Sequence, residues 1–287
     1  MYSYDSAKCD VIFNQFTDKG FYVDIGVRDG VHDNKTFLLY LNDWSGIVVD
    51  AHPDYINICK QFRPNDTVLS LICGKDDDSC TFRYNWRGSF GAIFNKELDE
   101  RRAKYHNKWY GKINNSDNYF GFKNKIEKNI SKSLNTILDT YNPENKDIDI
   151  LSIDVDGSEQ IVLENFNILK YNPKIVCIEL EQNIHGVGIQ QHKFIIDYMK
   201  KNNYIFIQTL DEDAIWANNK ENYNKIKKII KNTRSFQINN TSTIHPVSFC
   251  SKRNLILNKD SILKYRDYIY EQMNEDDKNK LINITKT

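Results

Sequence analysis

Four carboxylates and three glycines, set where apolar runs end, carry most of the chemistry that this chain makes legible. Residues 21–30 read FYVDIGVRDG: the apolar run Phe21, Tyr22, Val23, Ile25 encloses Asp24 and leads into Gly26 and Asp29-Gly30. A buried parallel strand followed by a tight turn has this form, and such a turn brings backbone close to a ligand. Twenty residues beyond Gly30, the run Gly46-Ile47-Val48-Val49 ends in Asp50. A glycine turn after one strand and a carboxylate at the tip of the next suit a nucleotide-like cofactor. The glycines let the chain approach, and the carboxylate accepts from two ribose hydroxyls. Val27, Arg28 and Val31 break the G-x-G-x-x-G spacing, and Asp24 before the glycine suits a positively charged amino-acid end better than a pyrophosphate. The expected cofactor is therefore S-adenosylmethionine rather than NAD.

The second chemical segment is DIDILSIDVDGSEQIVLENF, residues 147–166. Asp154 and Asp156 end its apolar strand, and Gly157 permits a sharp turn into a helix. Ligands of open α/β sheets bind at that strand edge, and paired carboxylates cluster at functional sites. Helix capping is the plainer role for Asp156. Further on, KIVCIEL places Glu179 and Glu181 on one strand face, and His185 follows as a candidate general base or metal ligand. With Asp154 and Asp156, these groups could hold a divalent cation through oxygen ligands, and the sequence leaves metal use open. His52, His106, His192 and His245 have no companion pattern and read as structural or solvent-facing.

Positioning these groups requires strands alternating with helices, the pattern of a doubly wound α/β sheet. Strands are expected at 21–25, 46–50, 67–72, 79–84, 148–154, 174–180, 203–209 and 213–217. Helices are expected near 3–18, 35–43, 53–62, 131–140, 157–165 and 189–201. Only Leu210-Asp211-Glu212 separates the last two strands, too little for a crossover helix, so they must pair antiparallel. Residues 85–130 interrupt the alternation with aromatic and cationic side chains, among them Trp86 and Arg87. Such side chains hold sugar rings and anions, which makes the segment a candidate substrate lid. The domain is expected over 1–218, and 219–287 as a helical C-terminal extension that could support self-association.

Three blocks resemble the FkbM-family methyltransferases that depend on S-adenosylmethionine: FYVDIGVRDGVHDNKTFLLYLNDWSGIVVDAHPDY, SLNTILDTYNPENKDIDILSIDVDGSEQIVLENFN and PKIVCIELEQN. The resemblance implies a Rossmann-like class I methyltransferase sheet, its parallel strands closed by an antiparallel C-terminal hairpin. It would put Asp24, Gly26 and Gly30 at the methionine end of the cofactor, Asp50 at the ribose and Cys73 and Gly74 by the adenine. The segment IDVDG would place Asp154 near the transferred methyl. Where the family often has S-N-T, this chain has Asn34-Lys35-Thr36, and Ser158 stands where an aromatic residue or histidine is common.

The expected activity is O-methyl transfer to a hydroxyl of a sugar, glycan or small secondary metabolite. Asp154 would orient the hydroxyl, and Asp156 or His185 would act as base. Methylation of an RNA ribose is the rival reading. It is weakened by the balance of 39 Lys+Arg against 39 Asp+Glu, because phosphate binding draws on unpaired cations. It also lacks a pair of lysines flanking Asp154 in the strand order. A non-catalytic module that keeps the fold and binds a partner is the other alternative. No apolar run reaches the roughly 20 residues of a membrane span, and MYSYDSAKCD lacks the basic and apolar regions of a signal peptide. Six cysteines without C-x-x-C suggest reduced thiols and a cytoplasmic protein.

Overall fold

The computed structural model describes residues 6–31, 34–84, 91–93, 125–180, 188–210 and 212–234. Strands β1 (Phe21–Ile25), β2 (Ser45–Asp50) and β3 (Thr67–Ser70) come first in the main sheet, with helices α1 (Ser6–Phe13), α2 (Phe37–Leu41) and α3 (Pro53–Phe62) around them. After an excursion into a second sheet the chain returns through α4 (Leu134–Tyr141), β8 (Ile150–Ile153), α5 (Glu159–Glu164), α6 (Ile168–Tyr171) and β9 (Ile175–Glu179). It continues with α7 (Gly188–Lys201), β10 (Ile205–Leu210), β11 (Asp213–Ala217) and α8 (Lys220–Arg234). Local sequence sets several of these limits. Pro53 opens α3 where its missing N–H costs nothing, and Ser133 caps α4 by accepting from Thr136 N at 3.1 Å.

Seven strands form the main sheet in the order β10-β11-β9-β8-β1-β2-β3. All neighbours are parallel except β11, which runs antiparallel between β9 and β10. The expected closing hairpin is present, and its last strand inserts inside the sheet instead of extending the edge. Both faces are covered, which is why these strands are nearly continuous apolar runs. On one face Val23, Ile25, Leu151, Ile153, Val176 and Ile178 pack against Leu138 of α4, Leu163 of α5 and Met199 of α7. On the other, Tyr22, Val48, Ile150 and Cys177 meet Phe13 of α1, Leu39 of α2 and Ile56 of α3. Ile226 and Ile230 of α8, in the segment expected to be an extension, are buried in this same cluster.

Strand β4 (Ile72–Cys73), β5 (Ser79–Tyr84), β6 (Gly91–Ile93) and β7 (Lys125–Lys132) make a second sheet in the order β4-β7-β5-β6. Two expectations change here. The run 67–72 is split at Leu71, whose N–H donates to Asp50 O at 3.1 Å, so Ile72 and Cys73 leave the main sheet to pair with β7. Residues 79–84 are a strand as expected, but their partners are β6 and β7. The helix expected from 131 starts only at Leu134, because Ser131 and Lys132 are spent in β7. The remainder of 85–130, Trp86 and Arg87 included, lies outside the described residues, as do 235–287.

Candidate active site

Strand order reverses between β1 and β8: the chain moves outward through β2 and β3 on one side and through β9 on the other. The crevice at the carboxyl ends of those two strands is where open α/β sheets bind ligands. Gly26 sits at its floor with φ +89°, and both Gly26 N and Val27 N donate to Val49 O, at 2.8 and 3.1 Å. A Cβ on Gly26 would lie 1.6 Å from the Asp154 carbonyl oxygen, so only glycine lets β1 and β8 close at this point. The turn continues through Arg28 at φ +56° to Gly30 at φ +80°, where a Cβ would meet Cys59 Sγ at 2.6 Å.

Behind the turn lies a buried polar network. Arg63 is fully buried and donates from Nε to Gly30 O (2.7 Å), from Nη1 to Thr36 Oγ1 (2.9 Å) and from Nη2 to Asn34 Oδ1 (2.5 Å). Asp24 Oδ2 accepts from Thr36 Oγ1 at 2.7 Å and from Asn34 Nδ2 at 3.1 Å. Expected to face the cofactor, Asp24 is only 2% exposed and points with Tyr22 toward the opposite face from Val23 and Ile25. Its carboxylate holds the loop of residues 34–36, a supporting part that follows from the two-residue alternation of β1.

That loop carries Lys35, which the sequence did not single out as a site residue. Its ammonium lies 2.5 Å from Asp154 Oδ2 and 3.0 Å from Asp213 Oδ1, and its side chain is 4% exposed. Among the described residues a single lysine thus stands against Asp154, supplied by a loop where strand order offered none. Asp213 begins β11 directly opposite Glu179 of β9. Burial by itself would raise the pKa of Asp154. The Lys35 ammonium outweighs it, together with hydrogen bonds from Glu179 and Lys35, and holds Asp154 below the usual carboxylate range. Glu179 moves the other way, raised well above its ordinary value by burial and then by the facing Asp154, Glu159 and Asp156 carboxylates. Asp154 is the ionised partner and Glu179 the proton-bearing one, so the hydrogen bond between them runs from Glu179 to Asp154.

Glu159, fully buried, turns Oε1 back to accept from Val155 N (2.9 Å) and Gly157 N (3.2 Å), which shapes the turn after β8. Burial, reinforced by Asp154, raises its pKa to about 7. Asp156 occupies this turn at φ +50°, while Ser158 takes the N-cap position of α5, so Asp156 is not the helix cap. Oxygen atoms of Asp154, Glu159 and Glu179 lie within 4.8 Å of one another, the spacing of a cation site. Lys35 already supplies a cation there, and one Glu159 oxygen is taken by two amides. This donor set fits an internal ion pair better than a metal.

Asp50 ends β2 on the other side of the Gly26 turn. Its Oδ2 accepts from Arg28 N and its Oδ1 from His52 N, both at 2.7 Å. Burial raises its pKa to about 6 against those two hydrogen bonds. Arg28 lies over the Tyr55 ring at 5.5 Å, and His52 stacks on that ring with centroids 4.1 Å apart. Cys73 is buried at the end of β4 within the core, and Gly74 N donates to Lys132 O at 2.9 Å. A Cβ at Gly74 would find only ordinary contacts, 3.6 Å from Ile161 and Ser131. His185 and Glu181 lie outside the described residues.

The structure therefore brings Gly26, Gly30, Asp50, Asp154 and Asp156 to one sheet edge, places Asp24 behind it, and sets Cys73 in the second sheet with Gly74 just beyond it. No match was found among curated proteins. A family model described as the methyltransferase FkbM domain matches residues 24–206, from within β1 to within β10. The match takes in the glycine turn, Asp50 and the Asp154 segment and covers more than half of the chain, which thus belongs to the FkbM methyltransferase family.

Proposed function

We propose that this protein transfers a methyl group from S-adenosylmethionine to a hydroxyl of a sugar, glycan or other small secondary metabolite. The observation that carries the reading is the grouping of the Gly26 turn, Asp50 and ionised Asp154 on the neighbouring strands β1, β2 and β8. Each Asp50 oxygen accepts one backbone N–H and, as part of an ionised carboxylate, keeps capacity for another donor. It can therefore hold two ribose hydroxyls without breaking the turn. Gly26 and Gly30 let the backbone approach the amino-acid end, and Asp24 acts there only through the loop it braces. Cys73 and Gly74 are proposed to line the adenine side.

When bound, S-adenosylmethionine supplies an electrophilic methyl on a sulfonium sulfur. An acceptor oxygen would have to be held in line with that methyl, so the protein's main task would be alignment. Positioning of this kind is worth up to roughly 7–11 kcal/mol. Asp154, held ionised by Lys35, is a weak base but a strong hydrogen-bond acceptor, which suits it to orient the hydroxyl. Asp156 or His185 would take the departing proton and release it to solvent, a contribution of about 10²–10⁴-fold. Trp86 and Arg87 are proposed to grip the acceptor from the segment 85–130, and the C-terminal extension 219–287 to serve self-association. No helix among the described residues is long and apolar enough to cross a membrane.

Calorimetry with S-adenosylmethionine and its demethylated product tests the cofactor half of the proposal, with saturable binding expected for both. Transfer of labelled methyl to a panel of glycosides, hydroxylated metabolites and RNA tests the other half. Label on a small hydroxylated acceptor is expected. Absence of binding at millimolar cofactor would refute the reading in favour of a non-catalytic module.

A further inference from the structure

We propose that Lys35 is a positioning residue of the transfer site: its ammonium, clamped between Asp154 at the end of β8 and Asp213 at the start of β11, fixes the direction and charge of the carboxylate that orients the acceptor. The inference deepens the methyl-transfer reading and rests on it. With its side chain 4% exposed, Lys35 cannot reach acceptor or cofactor, whereas Asp154 is 30% exposed. Any influence of Lys35 on chemistry must pass through Asp154. The clamp is braced on both sides. Asn34 and Thr36 flank the lysine, and both are held by Asp24 and by the buried Arg63.

Charge balance shows why a cation is needed there. Among the described residues, the charged groups facing Asp154 are Lys35 and Arg28 from the segment after β1, Glu159 from α5, Glu179 from β9 and Asp213 from β11, with Asp156 in its own turn. Five carboxyl groups face two cations. Without Lys35 these carboxyl groups would face Arg28 alone, and Asp154 would lose the ammonium contact that sets its direction. Lys35 supplies one of those two cations. An asparagine at that position would offer a hydrogen bond but no charge.

Carbon-13 labelling of aspartate in the whole protein tests this directly, with Asp154→Asn identifying the resonance. The parent is expected to show an Asp154 midpoint below the ordinary carboxylate range. Lys35→Met should raise it by about 1–3 units, the usual effect of losing a neighbouring opposite charge. Lys35→Arg, which keeps the charge, should leave it low. In turnover, Lys35→Met should lower kcat by about 10²-fold, the scale of a small misplacement of a reacting group. Cofactor KM should hold, and the acidic limb of the kcat profile should move up in step with the Asp154 midpoint. An ordinary or raised midpoint in the parent would overturn the clamp even if Lys35→Met failed to fold. An unmoved midpoint in a folded Lys35→Met protein would do the same. A lysine-dependent midpoint in a protein that binds no S-adenosylmethionine would support the clamp while refuting the methyl-transfer reading.

Discussion

Replacing Gly26 by alanine should damage stability and cofactor binding together, and the structure sets the scale. The new Cβ would lie 1.6 Å from the Asp154 carbonyl oxygen, against an ordinary contact of 3.4–4 Å, so β1 and β8 must part by well over an ångström. Gly26 also has φ +89°, a conformation that costs an L-residue roughly 1–2 kcal/mol. Parting the strands strains the bond from Asp154 N to Ile25 O, now 2.9 Å, and a backbone hydrogen bond contributes about 0.5–1.5 kcal/mol net. The total is about 1.5–3.5 kcal/mol, readable as a lower urea midpoint at unchanged slope. Because the same shift moves Asp154, methyl transfer should fall by about 10²-fold in the protein that remains folded. Gly74→Ala is the matched control, since its Cβ would meet nothing closer than 3.6 Å, and it should stay within about 0.5 kcal/mol of the parent. If Gly26→Ala and Gly74→Ala unfold at the same urea concentration, the close approach of β1 and β8 does not govern this site.

Asp50→Ala should weaken cofactor binding by about ten- to a hundredfold, since hydrogen bonds to a charged group contribute about 1.5–3 kcal/mol; equal calorimetric affinity would remove Asp50 from the site. Asp154→Asn should leave cofactor affinity within a few-fold and cut turnover by about 10²-fold, a result contradicted by full turnover on the true acceptor. Glu159, raised by burial from 4.5 to about 7, gives stability that is complete below its unfolded pKa and is lost as pH rises through about 7. Glu159→Gln should remove that dependence, up to about 3 kcal/mol between pH 4 and 8, and parallel urea curves for the two proteins across this range would show the raised pKa to be wrong.

Much of the main sheet was legible because it is buried on both faces. Phe21–Ile25 and Asp213–Ala217 match expectation residue for residue, since a strand covered on both sides is written as an apolar run between turn signals. The second sheet was not legible for the opposite reason. Lys125–Lys132 reads KIEKNISK, and its Ile130 is 63% exposed, so no apolar face marks it as a strand. Its pairing with Ser79–Tyr84 crosses the forty residues 85–124, and a period of two says nothing about which partner a strand takes. The order of β11 and β10 was hidden in the same way. The short turn forces an antiparallel hairpin, but only packing decides which of its strands sits next to β9.

The site divides along a different line. Asp50 and Asp154 stand at the carboxyl ends of buried strands, and sequence position alone was enough to place them at that edge. Asp24 sits one residue before such an end, and parity then decides its fate. It shares a face with Tyr22, so its carboxylate goes to Asn34 and Thr36 behind the turn. Lys35 was invisible because a lysine within HDNKT looks like any solvated loop residue. Burying an ammonium is costly unless opposite charges meet it with good geometry. Here Asp154 and Asp213 come from strands more than a hundred residues away in sequence. A charged residue that repays its own desolvation only in three dimensions leaves no periodic trace. The groups proposed to touch a ligand stand at strand ends, where sequence position places them, whereas the lysine paired with one of them had to await the fold.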